Sequence, residues 1–148
     1  MAAMSDFLEN KLIDHVFRGT AYTGPSTLYL GLFTAAPTDT GGGTEVSSVT
    51  STYARVPMVA NTTLWSGTNA YGFTGASSGT SGNTANIIPI TFASPNTNWG
   101  LVTSFGIYDA ATAGNLLFYG NLNISKNINN GDAAPSFTAN SLIIQIDN

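Results

Sequence analysis

Cysteine is absent from this 148-residue chain. Its absence excludes disulfide staples, thiol nucleophiles and thiolate metal sites together, and leaves the redox compartment open. Charge is almost as scarce: four basic and eight acidic side chains make up 8% of the residues, against about 25% in typical soluble domains. Asp6, Glu9, Lys11, Asp14 and Arg18 all fall in the first 18 residues, so the rest of the chain draws its polarity mostly from Ser, Thr, Asn and Gly. Four scattered cations cannot line a phosphate backbone, so direct nucleic-acid binding is not expected. No apolar run is long enough to cross a bilayer, and the charged N-terminus does not read as a signal peptide.

The same scarcity empties the catalytic repertoire. One histidine, His15, removes any multi-histidine metal site within a chain, and a Ser-His-Asp triad would have to use it without a nucleophile-elbow motif. His15 reads instead as a partly buried or capping residue. Gly41-Gly42-Gly43 is followed by Thr44-Glu45 rather than Gly-Lys-Ser/Thr, so it is not a phosphate cradle. Asp39, Asp109 and Asp132 sit in predicted turns, where bonds to their own backbone account for them better than a glycosidase-type pair does. No Asp-x-Asp-x-Asp run offers a calcium loop. The chain reads as non-catalytic, with no metal site and no cofactor.

What is present is β-structure. Thr103 to Asn123 places two alternating apolar arms around Asp109-Ala-Ala-Thr-Ala-Gly114-Asn115, the pattern of a β-hairpin with a turn of about five to seven residues. Phe105 and Ile107 are expected on one face, with Ser104, Gly106 and Tyr108 on the other. In the second arm Leu116, Phe118 and Gly120 should oppose Leu117, Tyr119 and Asn121. Apolar residues on both faces of that arm predict a central strand. Further strands are predicted at Thr27 to Thr34, at Tyr53 to Val59 (an edge or bulge, given Pro57), at Asn86 to Phe92, and at Asn121 to Ile128. A closing strand is expected from Phe137 to Ile146, with Leu142, Ile144 and Ile146 inward. Gly31 suggests a bulge or the close approach of another backbone. Seven or eight strands spaced by turns predict an antiparallel β-sandwich or jelly-roll-like domain.

Ser5 to Phe17 is the one convincing helix. Phe7, Leu8, Leu12, Ile13 and Val16 form an amphipathic stripe, Ser5 or Asp6 can cap its start, and Gly19 follows its end. The expected organisation is therefore an N-terminal helical arm over residues 1–20 and a β-sandwich domain over residues 21–148. Ala60 to Thr84 is the least regular region, and Ser66 to Thr84 within it reads as a long exposed loop, of the kind that carries contacts. Candidate partner-binding residues are Phe7, Leu8, Leu12 and Arg18 on the arm and Trp65, Tyr71 and Phe73 in or beside the loop. Loop aromatics either tuck into the core edge or anchor a partner.

Six stretches carry a family resemblance: FLENKLIDHVFRGTAYT (Phe7 to Thr23), TLYLGLFTAAPTD (Thr27 to Asp39), GGGTEV (Gly41 to Val46), YARV (Tyr53 to Val56), ITFASPNTNWGLVTSFGIYDAATAGNLLFYG (Ile90 to Gly120) and ISKNINNGD (Ile124 to Asp132). In these the chain resembles a family of small structural proteins of tailed bacteriophages, often labelled tail-fibre-like. The resemblance implies a virion structural component, made in the host cytoplasm and located on the capsid surface or the tail. A short chain without shaft repeats, a weakly charged surface and an N-terminal arm point first to a capsid cement or decoration protein. Such a protein would bind the major capsid protein as a homo-oligomer, with a trimer expected from the local three-fold points of a shell. The alternative is a tail-fibre or tail-tip component that binds other tail proteins and contacts the host surface or its glycans.

Overall fold

The computed structural model describes residues 2–68 and 75–146. The elements run β1 (Ala2–Met4), α1 (Asp6–Phe17), β2 (Thr27–Ala35), β3 (Thr44–Glu45), β4 (Val56–Val59), β5 (Asn83–Ala85), β6 (Ile90–Thr91), β7 (Gly100–Tyr108), β8 (Leu116–Ile128), β9 (Ser136–Phe137) and β10 (Ile143–Gln145). The protein is mainly β and antiparallel, with one helix near its N-terminus. The main sheet runs β1-β8-β7-β2-β3, with β4 also paired to β2, and two short ladders, β10-β5 and β6-β9, complete the strands. Pro57 lies in β4, whose one partner among the described strands is β2; an edge position tolerates a residue that cannot donate to a ladder.

Period-two alternation builds two different faces. On the front, Leu30 and Leu32 of β2 stand opposite Ile107 and Phe105 of β7, and Ile107 stands opposite Phe118 of β8. These residues join Ile90, Phe92, Trp99, Leu142 and Ile144 in one core, so the short ladders act as the second layer of a sandwich-like arrangement. Tyr53, Phe92 and Trp99 pack with ring centroids 5.3–6.4 Å apart, within the range favoured by aromatic pairs. Burial of each large apolar side chain here contributes about 1.5–3 kcal/mol.

The back face is built around two facing glycines, Gly31 and Gly106. A Cβ on Gly106 would come within 3.0 Å of both the Phe33 and the Tyr108 rings. The absence of that atom lets the two rings stack at 6.3 Å. Gly31 makes a different kind of room. A Cβ there would meet Glu45 Oε1 at 2.8 Å and the Tyr53 hydroxyl at 3.3 Å, so the expected close approach is made by side chains rather than by another backbone.

Several sequence expectations shift. Leu116 joins Phe33 and Tyr108 on the back face, with Tyr119 packed against them, because the register slips between Ile107 and Tyr108. β8 is flanked along its length by β7 but by β1 over only three residues, so its two apolar faces reflect layers above and below rather than a central place. Asn86 to Phe92 yields a strand of only two residues, and Ile88 is 51% exposed while Ile90 and Phe92 are buried. The Asn86 side chain accounts for that break: its amide donates to the carbonyls of Ile88 and Thr138 and its oxygen accepts from Leu142 N. These bonds replace a ladder with a local knot. The closing segment divides into β9 and β10, and Ile146 is 59% exposed. The stretch from Ser66 to Thr84 is not wholly an exposed loop: Ser66 is buried and Asn83 and Thr84 belong to β5, while just before it Leu64 is buried and Trp65 bridges to Asn86.

Candidate functional site

The N-terminal arm is attached at its beginning and bare at its end. Ala2–Met4 pair with Phe118–Gly120 of β8, so these residues extend the main sheet. Ser5 is buried; its N–H donates to the Leu117 carbonyl at 3.0 Å and its hydroxyl donates to the Leu116 carbonyl. The same hydroxyl accepts from Leu8 N, which makes Ser5 the N-cap of α1. Asp6 N–H donates to the Asp39 carbonyl at 3.1 Å, and the Tyr119 hydroxyl donates to the Asp39 carboxylate. One loop residue thus ties the helix start to the sheet. That hydrogen bond to Asp39, followed by burial, raises the Tyr119 phenol to about 12.

Beyond this anchorage the helix turns outward. Leu8 is buried and Phe7 and Leu12 are half-buried, with the Lys11 ammonium 5.5 Å above the Phe7 ring. Ile13, Val16 and Phe17 are 51%, 65% and 81% exposed. The expected single stripe is therefore split: its N-terminal members face the protein and its C-terminal members face away. At the end, Arg18 pairs with Asp14 in the exposed i,i+4 arrangement at 2.9 Å, a contact worth little in water. His15 is exposed rather than partly buried, and its Nδ1 accepts from Tyr22 N at 3.2 Å, closing the turn after the helix.

Of the other sequence candidates, Trp65 packs at the rim of the front core, while Tyr71 and Phe73 lie outside the described residues. The structure brings Phe7, Leu8 and Leu12 together on the arm and leaves Trp65 apart from them. The arm's exposed end depends on Phe17, which sequence reasoning did not select. The signal available was its place in the last helical turn, one residue beyond the stripe.

A second cluster escaped the sequence reading. The Arg55 guanidinium makes two bonds to the Glu45 carboxylate at 2.8 and 2.9 Å, lies 3.5 Å from the Tyr108 ring centre, and donates to the carbonyls of Ala110 and Ala113. Tyr53 donates its hydroxyl to Glu45 at 2.8 Å and accepts from Leu32 N. Burial, with the Glu45 charge beside it, pushes the Tyr53 phenol well above its ordinary range. Arg55, braced by Glu45 and Tyr53, holds the β7–β8 turn, which is also closed by Asp109 accepting from the Asn115 backbone and side-chain amides at 2.7 Å. The cluster is a structural pin. Among the described residues no group of three or more His, Asp or Glu side chains could hold a metal ion, and no helix is long and apolar enough to cross a membrane.

A family model described as podophage GP4 fiber I protein gp80 matches residues 3–145. No curated protein matches the chain.

Proposed function

Since the chain belongs to the podophage GP4 fiber I protein gp80 family of phage virion structural proteins, we propose that it is a non-catalytic building block of a virion fibre. The observation that carries this reading is the extent of the match, residues 3–145, which takes in the arm and the β-rich body together. The exposed residues Ile13, Val16 and Phe17 supply the means of attachment, since apolar side chains grouped on one helix end gain free energy when a neighbouring subunit covers them. That neighbour is a second copy of this chain or another tail protein.

The low charge of the surface favours a second reading, a cement or decoration protein seated on the major capsid protein, because such surfaces bring little repulsion into an assembly. Imaging of the virion by cryo-electron microscopy separates the two. Copies confined to fibres at the tail are the expected result. Copies spread over the icosahedral shell would replace the fibre reading with the second one.

A further inference from the structure

The sandwich is left open along one side. The register of β7 on β8 jumps from Val102↔Lys126 to Ser104↔Asn121, so the four residues Leu122–Ser125 stand opposite Thr103 alone and bulge outward. Ile124 at the crest is 84% exposed. Between this bulge and the chain around β9 and β10 lie two adjoining hollows of about 280 and 250 Å³ that share Leu122, Asn123, Phe137 and Ser141. Together they form one trough.

The lining has a consistent chemistry. Phe105 and Phe137, packed edge to face at 6.1 Å, and Leu122 give an apolar floor. Asn121, Asn123 and Gln145 stand at its rim, and their side-chain amides make no hydrogen bond within the described residues. By contrast, the side chains of Asn86, Asn96 and Asn98 hold backbone groups, and the Asn115 amide donates to the Asp109 carboxylate. The trough thus sets three amides with no partner among the described residues beside an apolar, partly aromatic floor. Lys126, at one end, is the single charged side chain in either hollow.

We propose that this trough binds a neutral oligosaccharide. Each amide offers a donor and an acceptor in one plane, the pairing that two neighbouring hydroxyls of a sugar ring require. Phe137 and Leu122 supply a surface for the ring's C–H face. The near absence of charge disfavours phosphorylated or strongly acidic ligands. The bulge argues against an added peptide strand, because Leu122–Ser125 break the regular spacing that strand addition uses. Each hollow is at or just below the low end of ligand-pocket volumes, roughly 300 Å³, which suits a short run of sugar units. Shallow sites of this kind bind weakly, with Kd on the order of 1 mM.

The test uses the purified full chain, labelled for nuclear magnetic resonance, and a panel of maltohexaose, cellohexaose, tetra-N-acetylchitotetraose, galactose and rhamnose. Saturable shifts of the Asn121, Asn123 and Gln145 side-chain amide signals with at least one sugar are expected. Replacing both exposed asparagines (Asn121→Ala with Asn123→Ala) should weaken that binding at least tenfold while the unfolding midpoint stays unchanged. Asn10→Ala, on the exposed side of α1, should bind as the parent does. No shift with any sugar overturns the proposal, as do shifts confined to other surfaces. A neutral Asn/Ser-rich peptide that moves the same signals when the sugars do not would assign the trough to a polypeptide instead. The location of the protein in the virion does not enter this measurement, so the fibre reading stands or falls separately.

Discussion

Arg55 shows how one residue can govern a distant turn. Its side chain is 9% accessible and that of Glu45 is 26% accessible, so the pair is shielded enough for its hydrogen bonds to matter but not so deeply placed that desolvation cancels them. Arg55→Ala leaves a half-buried carboxylate beside the Tyr53 hydroxyl and frees the carbonyls of Ala110 and Ala113. The expected loss is about 2–4 kcal/mol in a denaturant titration, and Glu45→Gln in the same chain should recover part of it. Tyr119 acts at the same scale but through pH. Its phenol is raised from 10.0 to about 12 by the bond to Asp39, so the folded state holds the proton more tightly than the unfolded state does. The sign follows: the contribution is fully present below pH 10 and is lost as pH rises from about 10 to about 12. Tyr119→Phe should therefore show a constant, small deficit in thermal stability at neutral pH. The deficit should disappear by about pH 12, when the parent protein has lost the bond as well.

At the level of elements, α1 does two jobs with two ends. Its N-terminal turn is joined to the sheet through Ser5 and to the loop at Asp39, and its C-terminal turn presents Ile13, Val16 and Phe17 to the outside. Removing the whole arm would also take away β1, so a fold defect and an assembly defect would be confounded. Replacing Ile13, Val16 and Phe17 together by Gln avoids this, because Gln sustains a helix and the three positions have little buried contact to lose. The unfolding free energy should change by no more than about 1 kcal/mol in total, while incorporation into particles, read by gel analysis of purified virions, should fall sharply. Unimpaired incorporation would remove the helix end from the assembly role. β8 likewise divides along its length: its first half is clamped between β1 and β7, and its second half bulges to make the rim of the trough.

The whole molecule is a sparsely charged, mainly β unit with a net charge of -4, whose specific contacts are concentrated at the attached arm, the pinned turn and the open trough. If the exposed helix end and the trough act separately, variants at one should not affect the other. The Gln triple variant should retain sugar binding, and the paired asparagine variant should retain incorporation. The two sites occupy different elements with no side chain in common, so their effects should be additive.

The residues alone determined the class of this protein. Alternation at period two marked β2, β7 and β8, helical spacing marked α1, and the absence of Cys, the single His and the sparse charge directed attention to structure and binding. These are local properties, and local sequence is enough to express them. Tertiary structure decided the rest. The one-residue slip beside Tyr108 moved Leu116 to the back face, and the bonds of Asn86 broke a predicted strand; both depend on partners far away in the chain. Glu45, Arg55, Tyr53 and Tyr108 come together only because Gly31 and Gly106 leave space on one face of the sheet. Asn121 and Asn123 line the trough where four residues of β8 face a single residue of β7, and Gln145 joins them from β10. Spacing along a chain reports which way a side chain points within its own element, whereas register and packing between elements set what that side chain meets.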